Sequence, residues 1–178
     1  MRPLPEPASP PLTITVKRVR PAADLPLPAY SSDGATGMDL HANIAANVTL
    51  APSKHRLIAT GIAIQLPPEH FGSIRDRSSL AKQGVHVLGG VIDEDYRGEI
   101  WVCLICLKHK DMWLPEPPAL IGGQTPLSLQ SLPDHYRINP GDRIAQLIVQ
   151  PYLTVALHEA ESLADTERGA GGFGSTGA

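Results

Sequence analysis

The sequence predicts an all-β fold, and three observations carry this prediction. The 178 residues include 18 prolines and 16 glycines, which interrupt helices and mark turns. Apolar residues make up 42% of the chain, enough to form one core. They occur in short runs between turn residues, a pattern that is typical of many short strands and not of long helices. The length suggests one domain with tails.

The apolar runs define the predicted strands. Alternation of apolar and polar residues from Leu12 to Lys17 predicts a half-buried first strand. Further strands are expected at residues 44–50, 56–59, 62–66, 71–76, 85–88, 99–107, 143–149 and 152–157. A brief helical turn at residues 77–82, closed by Gly84, interrupts them.

Composition divides the chain into a body and two tails. Residues 1–11 are rich in proline and are predicted to be a disordered N-terminus. Residues 12–160 form the predicted β domain, which contains a Pro-rich insertion at residues 109–135. A loop of that length is typical of a functional or disordered segment. Its apolar side chains leave two interpretations open: it folds onto the body, or it binds an unknown partner.

The charge balance argues against several classes of partner. The chain has 15 basic and 18 acidic residues, a net charge of -3, so binding of nucleic acid by bulk electrostatics is not expected. A polyanionic ligand would need a local basic cluster. No apolar run reaches transmembrane length, and no membrane partner is expected.

Cys103 and Cys106 are predicted to be buried structural thiols on opposite faces of a strand, which fits a reducing, cytoplasmic compartment.

Residues 87–102 contain several candidate binding and catalytic residues close together. Three acids at 93–95 follow two glycines at 89–90 and lie between two predicted strands of a hairpin. Glycine lets another backbone or a ligand approach closely because it has no Cβ. A carboxylate held beside exposed main-chain amides can bind a polar ring and activate water. A solvated acidic turn is the competing interpretation, with equal weight.

Two polar side chains in apolar surroundings are further candidates. Asp39 is either a strand-end cap or a functional carboxylate, and its spacing slightly favours the cap. Gln146 is the only polar side chain in an apolar run. Burying an amide without a partner costs about 1–3 kcal/mol. Gln146 is therefore satisfied by nearby backbone or faces a polar ligand.

The C-terminal residues 161–178 form a Gly-rich arm. Five glycines among residues 168–177 cannot hold a fixed fold alone, so the arm is expected to be flexible. Arg168 and the hydroxyl side chains near the end favour an arm that closes over phosphates, with Phe173 covering an apolar face. An inert tail is the alternative.

Five segments in order resemble those of one family, the homotrimeric dUTP diphosphatases, or dUTPases. They are GATGMDL at 34–40, RSSLAKQG at 77–84, GVIDEDYRGEI at 90–100, PGDRIAQLIV at 140–149 and RGAGGFGSTG at 168–177. The resemblance implies a jelly-roll-like β-barrel subunit of a threefold homotrimer with shared active sites. It also implies hydrolysis of dUTP to dUMP and diphosphate with Mg²⁺, which limits uracil in DNA and supplies dUMP for dTTP synthesis.

The resemblance also implies roles for individual residues. Asp93 is the water-activating carboxylate, Asp39 holds Mg²⁺ through water, and Tyr96 packs against the deoxyribose. The main chain expected to read uracil belongs to Gly90, Val91 and Ile92. The expected phosphate contacts are Arg77, Ser78, Ser79, Gln146, Arg168, Gly174, Ser175 and Thr176, and Phe173 is expected to stack over uracil.

Two other functions stay open beside the hydrolase. A dCTP deaminase shares the fold and the Arg-Ser-Ser-Leu element, and its chemistry needs a glutamate near the pyrimidine. Glu94 and Glu99 are the nearby candidates, although the IDEDYRG segment favours the hydrolase. The other alternative is a regulatory or binding protein of the same fold that acts through the insertion at 109–135.

Overall fold

The computed structural model describes residues 12–21, 25–107 and 135–171. The strands are β1 Thr15–Arg18, β2 Ala29–Tyr30, β3 Met38–His41, β4 Val48–Leu50, β5 His55–Ala59, β6 Ile62–Gln65, β7 His70–Arg75, β8 Val85–Leu88, β9 Val91–Ile92, β10 Trp101–Cys106, β11 Tyr136–Ile138 and β12 Arg143–Pro151. One short helix, α1, spans Ser78–Ala81. The prediction of an all-β fold is confirmed. In the described part of the chain, no helix is long and apolar enough to cross a membrane.

The strands form four antiparallel sheets. A five-stranded sheet has the order β2-β3-β12-β7-β9, and a three-stranded sheet has the order β5-β10-β8. Two further pairs, β1-β6 and β11-β4, complete the set. The five-stranded sheet positions the candidate site, because β3, β12 and β9 carry its residues and β7 lies between the last two.

The core forms from alternate side chains of the strands. In β10 the even-numbered residues, including Val102 and Leu104, are buried, whereas the odd-numbered residues are exposed or half-buried. Each fully buried aliphatic side chain stabilises the fold by about 1.5–3 kcal/mol. The same alternation confirms that Cys103 and Cys106 lie on opposite faces. Cys106 is buried, but Cys103 is only half-buried, so the prediction of a buried thiol holds for Cys106 alone.

The predicted strand at residues 152–157 is wrong. The chain there is irregular, and Leu153, Val155 and Leu157 are 90%, 72% and 95% exposed. Alternation produces a strand only when another strand offers its hydrogen bonds, and none of the described residues does so here. The run at 44–50 is also shorter than predicted, since β4 begins at Val48.

One strand boundary and two short strands also differ from the sequence prediction. The first strand begins at Thr15 and not at Leu12. The two-residue β2 was not predicted, and β11 begins at the end of what was predicted as a long loop. Strands this short have too few residues for alternation to reveal them.

The predicted central hairpin, β8 and β10, is interrupted at its tip by β9. β8 and β10 pair as expected, but between them the chain crosses to the other sheet and pairs β9 with β7. Gly89 has a φ of +59°, which glycine adopts without strain. At Gly90 a Cβ would lie 2.4 Å from the carbonyl oxygen of Ile74. The two glycines therefore allow β9 to close the edge of the five-stranded sheet.

Candidate functional site

A buried carboxylate lies at the centre of one polar cluster. Asp39 is 5% exposed, and its Oδ1 accepts hydrogen bonds from Arg77 Nε at 3.0 Å and from Gln146 Nε2 at 3.4 Å. Its Oδ2 accepts from Arg143 Nη1 at 3.1 Å. We call these four residues the Asp39 cluster. The prediction that Asp39 is a strand-end cap is wrong, because it lies within β3 and its partners are side chains.

The two arginines keep Asp39 ionised. Burial opposes ionisation, but the hydrogen bonds and charges of Arg77 and Arg143 outweigh it and hold the pKa of Asp39 below its ordinary 3.8. Burial, together with the same two guanidinium groups, lowers the pKa of neighbouring His41 despite the charge of Asp39. Two guanidinium charges against one carboxylate leave a local positive charge. This is the basic cluster that a polyanionic ligand requires on a chain of net charge -3.

Arg143 was not among the predicted site residues, and a β-bulge explains why. Residues three apart in a regular strand face opposite sides, which would separate Arg143 from Gln146. The register of β12 against β3 shifts between Arg143 and Ala145, so Ile144 is an extra residue. The bulge turns Arg143 to the same side as Gln146. The sequence shows Arg143 close to Gln146, but it does not show that the Arg143 side chain points to the same side of the strand as Gln146.

Gln146 stands directly opposite Asp39 in the register of β12 and β3. Among the described residues, its side chain has one hydrogen-bond partner, the carboxylate of Asp39 at 3.4 Å, and no backbone group, so a polar ligand stays the predicted alternative. That distance is longer than an ordinary hydrogen bond. Gly37 makes room for this side chain, because a Cβ there would lie 2.9 Å from the Cβ of Gln146.

The start of α1 brings hydroxyl groups to the same cluster. Arg77 precedes the helix in an extended conformation, and its Nη1 donates to Ser79 Oγ at 3.2 Å. Ser78 and Ser79 are exposed, whereas Leu80 is buried and anchors the turn. The structure thus brings Arg77 and Ser79 together with Asp39 and keeps the hydroxyl of Ser78 at the nearby surface.

A second group of predicted residues lies at the edge formed by β9. Ile74 N donates to Gly90 O at 2.7 Å, and the register pairs Ile92 with Gly72. Because antiparallel pairs alternate, the intervening Val91 directs its N–H and C=O away from β7. Val91 is 64% exposed. The sheet edge therefore presents one main-chain donor and one acceptor to the outside.

Asp93 and Tyr96 follow this edge in a tight turn. Tyr96 N donates to Asp93 O at 3.2 Å, and the phenol of Tyr96 donates to Glu99 O at 2.9 Å. The ring lies over Gly98, where a Cβ would be 2.4 Å from the phenol oxygen. Asp93 is exposed and lines an open cleft of about 530 Å³. The cleft is lined by Phe71, Val91, Asp93, Glu94, Asp95 and Tyr152.

The Asp39 cluster and the β9 edge with Asp93 are separate within one chain. β12, β7 and β9 are neighbours, and the register places Gln146 opposite Arg75 and Ile92 opposite Gly72. With about 4.8 Å between strands and about 3.4 Å per residue, the Cα atoms of Gln146 and Asp93 are about 17 Å apart. One phosphate group cannot contact both side chains in a single chain.

Arg168 has a hydrogen-bond partner within its own segment. It is exposed, and its Nε donates to Gly171 O at 2.8 Å within a local turn. The remaining arm residues of the prediction lie outside the described residues, as does the insertion up to residue 134. These arm residues are Phe173, Gly174, Ser175 and Thr176.

The residues present fit a metal ion only through water. Among residues 12–21, 25–107 and 135–171, no group of three or more His, Cys, Asp or Glu side chains could hold a metal ion. Asp39 already accepts hydrogen bonds on both oxygens. Mg²⁺ retains much of its hydration shell and binds mainly to phosphates, so a single carboxylate that contacts metal-bound water suits it.

Comparisons with known proteins agree on one family. The family described as dUTPase matches residues 23–116 and 131–177. The deoxyuridine 5'-triphosphate nucleotidohydrolase of Methylocella silvestris is 47% identical over 175 residues, which cover 96% of this chain and 94% of that one. The dUTPase of Staphylococcus bacteriophage 80alpha, solved with dUPNHPP, has a TM-score of 0.72 at 26% identity and covers 93% of this chain and 99% of that chain.

A further solved structure concerns a metal ion. A variant of the dUTPase from phage phi11 of S. aureus has a TM-score of 0.64 at 25% identity, over 84% of this chain and 97% of that chain. It is described as showing the coordination of a structural Mg(II) ion.

Proposed function

We propose, on the premise that the chain belongs to the dUTPase family, that it hydrolyses dUTP to dUMP and diphosphate. Water attacks the α-phosphorus in line, the bond to the bridging oxygen breaks, and diphosphate leaves. The observation that carries this proposal is the position of Asp93. It directly follows a sheet edge whose main chain faces outward, and its side chain lines an open cleft.

Asp93 activates the attacking water in this proposal. An exposed carboxylate at neutral pH can accept the proton of a water held beside a phosphate. The turn closed by Tyr96 N fixes the main chain at Asp93 and therefore the direction of attack. General-base catalysis of this kind contributes about 10²–10⁴-fold to the rate.

The edge of β9 reads the base. One face of uracil offers a carbonyl acceptor beside an N–H donor, and the outward N–H and C=O of Val91 complement such a pair. Cytosine reverses donor and acceptor at the corresponding positions, so it would leave groups at the edge unpaired. The hydrogen bond from Ile74 to Gly90 and the pairing of Ile92 with Gly72 hold the edge in place.

Tyr96 selects the sugar. Its ring is fixed by the hydrogen bond to Glu99 O and by its contact with Gly98. A ring packed against the deoxyribose leaves no space for a 2′-hydroxyl, which excludes ribonucleotides sterically.

The Asp39 cluster binds the phosphates. Arg77, Gln146 and the hydroxyls of Ser78 and Ser79 supply donors, and Arg143 adds a second guanidinium group. Mg²⁺, when bound, neutralises phosphate charge and polarises the phosphorus. Asp39 would hold it through water.

Each site is completed by more than one copy of the chain, in a homotrimer. Two observations support this part of the proposal. The Cα atoms of Asp93 and Gln146 are about 17 Å apart in one chain, farther than a single reacting phosphate spans. The chain after β12 also exposes a series of apolar side chains, with Leu153 and Leu163 both 90% exposed. A second copy would cover them, and the arm with Arg168 and Phe173 would close a site on another copy.

The contacts of two glutamates disfavour the deaminase alternative. Both oxygens of Glu99 accept from Arg20 Nε, at 2.6 Å and 2.8 Å, and Oε1 also accepts from Gly61 N at 3.0 Å. Glu94 Oε2 accepts from Glu69 N and from the phenol of Tyr152, each at 2.7 Å. Both carboxylates are thus engaged by protein donors, Glu99 through both oxygens and Glu94 through Oε2. The alternative of a binding protein that acts through the insertion at 109–135 stays a prediction.

Product analysis tests the proposed reaction. The purified chain is incubated with Mg²⁺ and either dUTP or dCTP, and released diphosphate and ammonia are measured. We expect diphosphate from dUTP and no ammonia from dCTP. Ammonia release from dCTP, or no reaction with dUTP, would contradict the proposal.

A substitution tests the role of Asp93. Asp93→Asn is expected to lower kcat at least about a hundredfold while a non-hydrolysable dUTP analogue still binds. Asp33→Asn, at an exposed turn before β3, is the matched control and should leave kcat unchanged. Turnover by Asp93→Asn near the wild-type rate would show that another group activates the water.

A further inference from the structure

Three segments that are distant in the sequence meet at Glu94. They are the turn before β7, the turn after β9 and the end of β12. Glu94 Oε2 accepts from Glu69 N at 2.7 Å and from the phenol of Tyr152 at 2.7 Å. Tyr152 N donates to Glu69 O at 2.9 Å and closes the set. We call Glu69, Glu94 and Tyr152 the Glu94 clamp.

The electrostatics of the clamp agree with its geometry. The hydrogen bond from Tyr152, followed by that from the Glu69 main chain, lowers the pKa of Glu94. The same bond to Glu94 raises the pKa of Tyr152. The phenol therefore donates to an ionised carboxylate, a short charge-assisted hydrogen bond of the stronger class.

Arg97 and the backbone of Glu69 add to the restraint of the turn that contains Asp93. Arg97 Nη1 donates to Glu94 O at 2.7 Å and to Tyr96 O at 2.9 Å, which holds the main chain of the turn. Glu69 adopts a φ of +61°, a conformation that residues other than glycine rarely adopt without local support. Its N–H is directed at Glu94 in this conformation.

We propose that Glu94 is a positioning residue for the hydrolysis, which holds Asp93 at the cleft by fastening its turn to Glu69 and Tyr152. This inference rests on the proposed function, because Asp93 acts on the water there. The carboxylate of Glu94 accepts hydrogen bonds from protein groups, whereas Asp93 acts on the attacking water. A displacement of about 1 Å at a reacting group can lower a rate about 10²-fold, so loosening the turn should reduce turnover more than binding.

Steady-state kinetics of clamp variants test the inference. Glu94→Ala and Tyr152→Phe are each expected to lower kcat for dUTP about tenfold and to leave KM within about twofold. Glu94→Gln, which retains one oxygen acceptor, should recover part of the loss. The double variant Glu94→Ala with Tyr152→Phe should be no worse than Glu94→Ala alone, because both remove one interaction. Tyr30→Phe, at an exposed tyrosine of β2, is the matched control and should leave kcat unchanged.

Amide hydrogen exchange provides a readout that does not depend on activity. In Glu94→Ala the amides of Glu69 and of residues 93–97 should exchange at least about tenfold faster than in wild type, with the rest of the five-stranded sheet unchanged. Wild-type kcat in both Glu94→Ala and Tyr152→Phe would overturn the inference. If the wild-type chain itself released no diphosphate from dUTP, the proposed function would fail. The amide exchange rates in Glu94→Ala would then still show whether the clamp holds the turn. Rates equal to those of wild type would overturn the inference as well.

Discussion

At the residue scale, Asp39 shows how a buried carboxylate can serve a site for anions. Alone it would repel phosphate, and its burial would favour the neutral form. Arg77 and Arg143 contact opposite oxygens, keep it ionised and leave positive charge in excess. Asp39 thereby orients two guanidinium groups whose charge is available to a polyanion.

The lowered pKa of Asp39 predicts how stability depends on pH. Its pKa in the folded state lies below the ordinary 3.8, so the ionised form stabilises the fold fully above that pH. This contribution is lost as the pH falls below 3.8 through the folded pKa. We expect Asp39→Asn to unfold at lower urea concentration at pH 7, with a loss of about 1–3 kcal/mol, and to lose less stability than wild type on acidification.

Urea unfolding at a series of pH values measures this dependence. Asp33→Asn, an exposed acid in the turn before β3, is the control and should follow the wild-type curve. Parallel curves for wild type and Asp39→Asn below pH 4 would show that the two arginines do not hold the carboxylate ionised.

At the element scale, β9 depends on a glycine for its place at the sheet edge. A Cβ at residue 90 would lie 2.4 Å from Ile74 O, a main-chain atom of the neighbouring strand β7. Ile74 N donates to Gly90 O at 2.7 Å, so the two residues must approach closely. The outward direction of the Val91 peptide groups follows from this pairing.

Gly90→Ala is therefore expected to move β9 away from β7. We expect a loss of about 1–3 kcal/mol in the free energy of unfolding, because a main-chain oxygen cannot yield as a side chain does. The affinity for dUMP should fall together with stability, since the edge that is proposed to read the base is displaced. Gly34→Ala is the control for stability, because a Cβ there meets nothing within 4 Å. Wild-type affinity for dUMP in Gly90→Ala would argue against base reading by this edge.

Some strands and site residues were predictable from the sequence, and others were not. The pattern of apolar runs between turn residues located β5, β6, β8 and the start of β12, because each of these strands buries side chains in the core. It could not reveal the bulge at Ile144, since one extra residue reverses the faces without changing composition. It also predicted a strand at residues 152–157, where the pattern is present but no described strand pairs with it. Asp39 and Gln146 were identifiable as polar exceptions, whereas Arg143 and the contacts of Glu94 depend on long-range pairing.

At the scale of the whole molecule, the candidate site residues lie in separate groups within one chain. The Asp39 cluster and the turn with Asp93 lie on opposite sides of β7 in one sheet, and Arg168 lies in an exposed segment beyond it. In the proposed homotrimer, the Asp39 cluster of one copy would bind the phosphates beside the β9 edge of another copy, which is proposed to read the base. The exposed apolar side chains after β12 give such association a hydrophobic contribution.

Removal of residues 168–178 tests this arrangement. The truncated chain should retain the mass of three copies by light scattering and lose at least about a hundredfold in kcat, because the arm supplies Arg168 and the ring that covers the base. Mixed assemblies of the truncated chain and Asp93→Asn should recover part of the activity, since one copy provides the arm and another the carboxylate. A monomeric mass, or mixed assemblies as inactive as their components, would contradict a shared site.

Hydrolysis of dUTP in water labelled with the heavy oxygen isotope most directly tests attack at the α-phosphorus by water that Asp93 activates. Mass spectrometry of the products is expected to find the label in dUMP and none in diphosphate, because the oxygen of the water forms the new bond to the α-phosphorus. Asp93→Asn should incorporate the label at least about a hundredfold more slowly. Label in the diphosphate would contradict attack at that phosphorus.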